Sequence, residues 1–326
     1  MAIYNRSVLT TTTAEQGVVY DYMQDQTDFI ADSLFPPKPV DRANKKITQM
    51  DISKLSLVDT QRATNSEAEI INEGSFTRDI SLVEHKLAVE INPQLRRDAD
   101  LPSIIDTNRA IQIATHGLML RREKIAADLA CTSGNYPSSL TSALASGSRW
   151  NEANGDPESD VTTARIAVRN LSGVTTNALA IDVTTLDKLK LSPSFRDRVK
   201  YTKSEPVSDD DVKAFFGVKY LFVGGSRYNT ANNGATASIS GFWGDNAILF
   251  YHNPGVSLFD ISYGQLAMYG SGGVWTNLRV DEKKRGPSGA MMYQEVGMEY
   301  VCTYGYVESS ALTKFAAGYL LRTVVA

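Results

Sequence analysis

Over the first fifty residues the apolar positions follow no repeat of the kind a compact element needs. Residues 1–13 are polar and threonine-rich, and a short helical piece fits Val18 to Ile30. Leu34-Phe35-Pro36-Pro37-Lys38-Pro39-Val40 then reads as an extended stretch, because proline fixes its own φ and pushes the residue before it towards β geometry. An arm like this has no core of its own and must lie along another surface, in the same subunit or in a neighbour. From Leu55 to Ile91 the period becomes two: Leu55 and Leu57, Ile80 and Leu82, then Leu87, Val89 and Ile91 alternate with polar residues. Between these runs, Asp59 to Arg78 is charged and poor in apolar anchors. Two strands with a polar tip predict a long projecting hairpin, and such a hairpin is marginal in water without a partner.

Asp106 to Thr132 is the clearest helix. Asp106 stands at the N-cap, Gly134 follows the end, and Ile111, Ala114, Leu118, Ile125 and Leu129 form one apolar stripe. Arg109, Arg121, Arg122, Glu123 and Lys124 are assigned to the opposite, solvent-facing side. A glycine-, serine- and asparagine-rich connector leads to a second helix with Asp156 as cap, Pro157 in the first turn, Val161, Ala164, Val168 and Leu171 buried, and Gly173 as stop. A short strand over Ala178 to Ile181, a helix over Thr184 to Leu191 and a helix beginning at Ser208 come next. Strands are then predicted over Val218 to Val223, Ala247 to Tyr251, Val274 to Val280 and Met291 to Tyr304. No repeat of fixed period is present, and the pattern is α+β.

Composition narrows the function classes. The 326 residues are 42% hydrophobic and 21% charged, which places the chain among globular proteins. No apolar run reaches the roughly 18 residues that span a bilayer, so no membrane partner is expected. The start lacks a basic segment followed by an apolar one, so no secretion signal is read there. A formal net charge of −4 argues against affinity built on neutralising phosphates, and Lys283-Lys284-Arg285 reads as a solvated loop. Two cysteines, Cys131 and Cys302, are too few for a disulfide framework and suit a reducing compartment, with one bridge between them left open.

The search for chemistry fails at each step. His85, His116 and His252 are far apart, and none has a second ligand at metal-binding spacing. Gly224-Gly225 lacks the further glycines or the lysine of a phosphate loop, and Gly270-Ser271-Gly272-Gly273 has Tyr269 where a nucleophile elbow needs glycine. Asp209-Asp210-Asp211 lies in a first helical turn, where it complements the helix dipole. The chain calls for no catalytic residue, cofactor or metal, and is expected not to be an enzyme.

Several stretches resemble the major capsid proteins of tailed bacteriophages, the Hong Kong 97-type shell fold. They are Phe29-Ile30-Ala31-Asp32-Ser33-Leu34-Phe35-Pro36, Asn177-Ala178-Leu179-Ala180-Ile181-Asp182 with Arg196-Asp197-Arg198-Val199-Lys200-Tyr201 beyond it, and Phe216-Gly217-Val218-Lys219-Tyr220-Leu221-Phe222-Val223-Gly224. Tyr228-Asn229-Thr230-Ala231, Trp243-Gly244 and Ala317-Gly318-Tyr319-Leu320 continue the likeness over nearly the whole chain. The resemblance implies an N-terminal arm (1–50), an extended loop (51–95), a peripheral domain with a spine helix (96–173), an axial domain (174–290) and a return to the peripheral domain (291–326). It further implies self-assembly into pentamers and hexamers, as an icosahedral head in the virion, around double-stranded DNA held without sequence preference. Assembly would take place in the host bacterial cytoplasm. Arg62, Glu67, Glu69, Glu73 and Arg78 of the extended loop are the expected assembly contacts, a polar strap over a neighbour.

Partners expected on this basis are a portal protein, a cement protein and a scaffolding protein, the last separate because the arm starts almost at Met1. Some members of the family cross-link the loop through a lysine and an asparagine. Lys54 and Lys86 flank the hairpin but its tip has no lysine, so no such bond is expected. The alternative is an encapsulin-type compartment, which shares the fold but tends to begin with a helix.

Overall fold

The computed structural model describes residues 27–50, 61, 75–91, 107–199, 207–231, 234–255, 261–269, 279–285, 291–305 and 314–326. In chain order these form a short helix α1 (Ala31–Leu34), strands β1 (Pro37–Val40), β2 (Asn44–Met50), β3 (Ser75–Ser81) and β4 (Val83–Ile91), and the long helix α2 (Thr107–Cys131). Next come β5 (Thr141–Ala143), α3 (Pro157–Ser172), β6 (Ala178–Asp182), α4 (Val183–Lys190), α5 (Pro193–Val199), α6 (Asp209–Phe216) and β7 (Tyr220–Gly224). The remainder is β8 (Arg227–Asn229), β9 (Ile239–Gly241), β10 (Ala247–Phe250), β11 (Gly264–Tyr269), β12 (Arg279–Arg285), β13 (Met291–Tyr304) and β14 (Gly318–Arg322).

Local chemistry explains the helix ends. Asp156 accepts from the Ser159 N–H at 3.1 Å, Pro157 opens α3, and Gly173 closes it at φ 69°. Ser208 and Asp211 bond each other's backbone N–H groups across the first turn of α6, a capping box.

Two sheets share one continuous core. In the first, β13 pairs antiparallel with β4, β11 and β12, and β1 adds parallel to β11. Helix α2 lies across β4 and β13. In the second the order is β5-β14-β10-β6-β7, and α3 packs on β10 and β14. Strands β2 and β3 stand apart as an antiparallel hairpin, from Asn44 opposite Ser81 to Met50 opposite Ser75.

Three expectations change. The hairpin's first strand is 44–50, upstream of Leu55 and Leu57, which lie outside the described residues, as do residues 1–26. Residues 83–91 leave the hairpin because their alternating Leu87, Val89 and Ile91 find a longer partner in β13 (Leu87 opposite Val296, Ile91 opposite Met292). The C-terminal segment divides: 291–304 serves the first sheet, but β14 sits inside the second, between β5 and β10. Its four buried residues, Gly318 to Leu321, need cover on both faces, which the middle of that sheet provides.

Candidate assembly surface

Helix α2 is buried on two sides. Besides the expected stripe, Thr115, Met119, Arg122, Glu123, Ala126 and Ala130 are buried, so Arg122 and Glu123 do not face solvent. This second stripe at three- and four-residue spacing was present in the sequence, hidden because two of its members are charged. Glu123 Oε1 accepts from the Ile30 N–H (3.1 Å) and from Trp243 Nε1 (2.7 Å), and Oε2 accepts from the Ala31 N–H (2.9 Å). Burial raises the Glu123 pKa, while these three bonds and the neighbouring Arg122 pull it down. Arg122 reaches Asp32 at 3.0 Å. One carboxylate thus ties α1, the long helix and the loop before β10.

The same lead-in, residues 28–40, is stitched along its length. The Asp28 carbonyl accepts from the N–H groups of Gly225 and Ser226, His252 Nδ1 donates to the Ser33 carbonyl (2.9 Å), and buried Lys38 donates to the Gly255 carbonyl. The Gly224-Gly225 pair has a packing explanation. A Cβ on Gly224 would stand 2.4 Å from the Trp243 ring, and one on Gly225 2.9 Å from the Asp28 carboxylate.

The hairpin joins the body by a narrow stem. Its own cluster, Val40, Ile80 and Ala267 with Leu82 and Val301 against it, is separate from the main core. Leu82 N–H donates to the Ala43 carbonyl at 2.9 Å where the two chain crossings meet. Of the expected loop contacts, Arg62, Glu67, Glu69 and Glu73 lie outside the described residues. Arg78 is at the stem, with its guanidinium 5.2 Å from the Tyr304 ring centroid. Tyr304 donates to Asn135 Oδ1 (3.1 Å) and packs edge-on to Phe315. So Arg78 faces its own subunit, because strand alternation from buried Ile80 turns residue 78 inward.

The other chemical candidates have structural partners. His85 stacks on Tyr300, and His116 meets the edge of Phe29. Lys190 pairs with Asp209 and Lys213 with Asp210. Among the described residues no group of three His, Cys, Asp or Glu side chains is placed to hold a metal ion, and no helix is long and apolar enough to cross a membrane. Cys131 and Cys302 are both free, and burial pushes each thiol up to about 12, so neither is a nucleophile at neutral pH. Gly270 to Gly273 lie outside the described residues. Exposed apolar side chains among the described residues are Val83 and Leu87 on β4, Ile113 on α2, Ile166 on α3, Val183 on α4, Leu191 after it, Ile239 on β9 and Tyr269 on β11.

A stitched lead-in, a hairpin on a narrow stem, a long helix across a β-sheet and a second sheet with its own helices make up the Hong Kong 97-type capsid shell fold. A crystal structure of a phage-related protein from Bordetella bronchiseptica RB50 matches it with a TM-score of 0.73 at 24% identity, covering 98% of both chains. The putative capsid protein of a prophage of Escherichia coli CFT073 matches with a TM-score of 0.52 at 12% identity, covering 97% of this chain and 99% of the other. In sequence, the chain is homologous to the major capsid protein of Burkholderia phage BcepMu, 28% identical over 225 residues, 69% of this chain and 71% of that one. No protein-family profile matches the chain.

Proposed function

We propose that this chain is the major capsid subunit of a tailed bacteriophage, whose copies tile as pentamers and hexamers into the icosahedral head around double-stranded DNA. The observation that carries the reading is the shell fold over the full chain together with homology to a phage major capsid protein. That homology favours a phage head over an encapsulin-type compartment of the same fold.

The physical logic is repetition. A projecting loop on a stem of three buried apolar residues has little to hold it alone, and it gains partners when a neighbour lies beneath it. Exposed ion pairs contribute only about 0–1 kcal/mol each, so single contacts stay correctable and the closed shell gains strength through multivalency. Arg62, Glu67, Glu69 and Glu73 are the loop residues assigned to that strap. The protein is structural, with no catalytic role. Its further partners are a scaffolding protein, a portal and a cement protein, and it resides in the virion after assembly in the host bacterial cytoplasm.

Negative-stain electron microscopy with light scattering tests this on the chain alone and with a co-expressed scaffold. Shells, tubes or five- and six-membered rings are the expected products. A clean monomer in both conditions at every concentration overturns the proposal.

A further inference from the structure

We infer that Arg78 is a positioning residue that sets the angle at which the β2–β3 hairpin leaves the body, by latching the stem to the Tyr304 ring; the inference rests on the shell reading for its consequence. The hairpin connects to the rest of the chain at two places only, residues 41–43 between β1 and β2, and Leu82 between β3 and β4. The Leu82–Ala43 hydrogen bond ties these crossings side by side, which makes them a pivot. The satellite cluster of Val40, Ile80 and Ala267 holds the stem by non-directional apolar contact, which fixes position better than angle. Arg78 supplies the directional contact. Its partner ring is rigid, since Tyr304 belongs to β13, bonds Asn135 and packs on Phe315.

The choice of arginine is not explained by stability. Its Nη1 is buried with no hydrogen-bond partner among the described residues, and an unbonded buried N–H is a cost. An apolar side chain of the same length would fill the space without it. A planar cation over a ring, however, has a preferred geometry that an apolar chain lacks. Leverage makes the angle matter. Seven strand residues reach about 23 Å, so a tilt of about 10° at the pivot displaces the strand ends by about 4 Å, beyond hydrogen-bond reach of a fixed neighbour. Copies with the latch leave the body from one defined starting angle, from which the loop meets a neighbour.

The test is hydrogen exchange on the full, unassembled chain, comparing wild type with Arg78→Met, Arg78→Lys, Tyr304→Phe and Tyr304→Leu. Residues 75–81 report the stem and 107–131 serve as control. Met keeps an unbranched apolar stem but ends short of the guanidinium, so it removes the planar cation while leaving apolar bulk at the stem. Exchange at 75–81 is expected to rise roughly 3- to 30-fold in Arg78→Met and Tyr304→Leu, the range a cation–π contact supports. It should stay near wild type in Tyr304→Phe, fall between in Arg78→Lys, and remain unchanged at 107–131 throughout. In assembly, particle diameters broaden for Arg78→Met and stay uniform for Arg78→Lys. Wild-type exchange at 75–81 in both Arg78→Met and Tyr304→Leu overturns the latch, as does an equal rise at 107–131. If Arg78→Met does not fold, Arg78→Lys and Tyr304→Leu carry the same comparison. A wild-type chain that builds no particles removes the shell reading, while exchange still decides whether Arg78 holds the stem.

Discussion

Glu123 shows how one side chain can hold three segments. Replacing it by alanine orphans the N–H groups of Ile30 and Ala31 and the Trp243 indole, at an expected cost of about 3–5 kcal/mol. Glu123→Gln keeps the acceptor that serves Ile30 and Trp243 but can turn an amide N–H towards Ala31, so about 1–3 kcal/mol is expected. Urea unfolding measures both. Its pH dependence follows from the raised pKa: the folded chain holds this proton more tightly than the unfolded chain does. The contribution of Glu123 is therefore greatest below the ordinary carboxylate range, falls as pH rises to the raised value, and is level above it. The stability gap between wild type and Glu123→Gln should shrink as pH rises from the ordinary glutamate value of about 4.3 towards the raised value of the folded chain. A gap that widens with pH would mean that the three N–H donors outweigh burial.

Elements were legible in the sequence where their signals are local. The cap, first-turn proline and stop glycine of α3 gave its span, and Met291 to Tyr304 emerged as one strand from its composition. Asp156→Ala should accordingly cost about 1 kcal/mol, read as a shift in the thermal midpoint. What stayed hidden is set by distant partners: the second buried side of α2, the capture of 83–91 by β13, and the Arg78–Tyr304 contact across 226 residues of chain, 304 minus 78. Glycines divide in the same way. Gly224→Ala would drive a Cβ into the buried Trp243 ring and should cost about 1–3 kcal/mol by overpacking. Gly117→Ala meets only the Leu87 methyl at 2.6 Å, on a side chain that is half exposed and free to turn. There the better helix propensity of alanine offsets the contact, so thermal melts should show little change.

At the scale of the whole molecule, both sheets are joined by strands from the end of the chain. The first is organised around β13, which pairs with segments at 83–91, 264–269 and 279–285. In the second, β14 is, among the described residues, the strand that links β5 to β10. Deleting residues 318–326 should therefore abolish cooperative unfolding, which circular dichroism would show as a broad, sloping melt. The same arrangement bears on synthesis. The first sheet cannot close until residue 304 has left the ribosome, nor the second until residue 322, so the amphipathic long helix and the apolar strands wait without their partners while the chain grows. Such a nascent chain is a natural client for chaperones. Only a chain carried through β14 can present a closed subunit to a growing assembly, so chains that stop before it are rejected by their own topology.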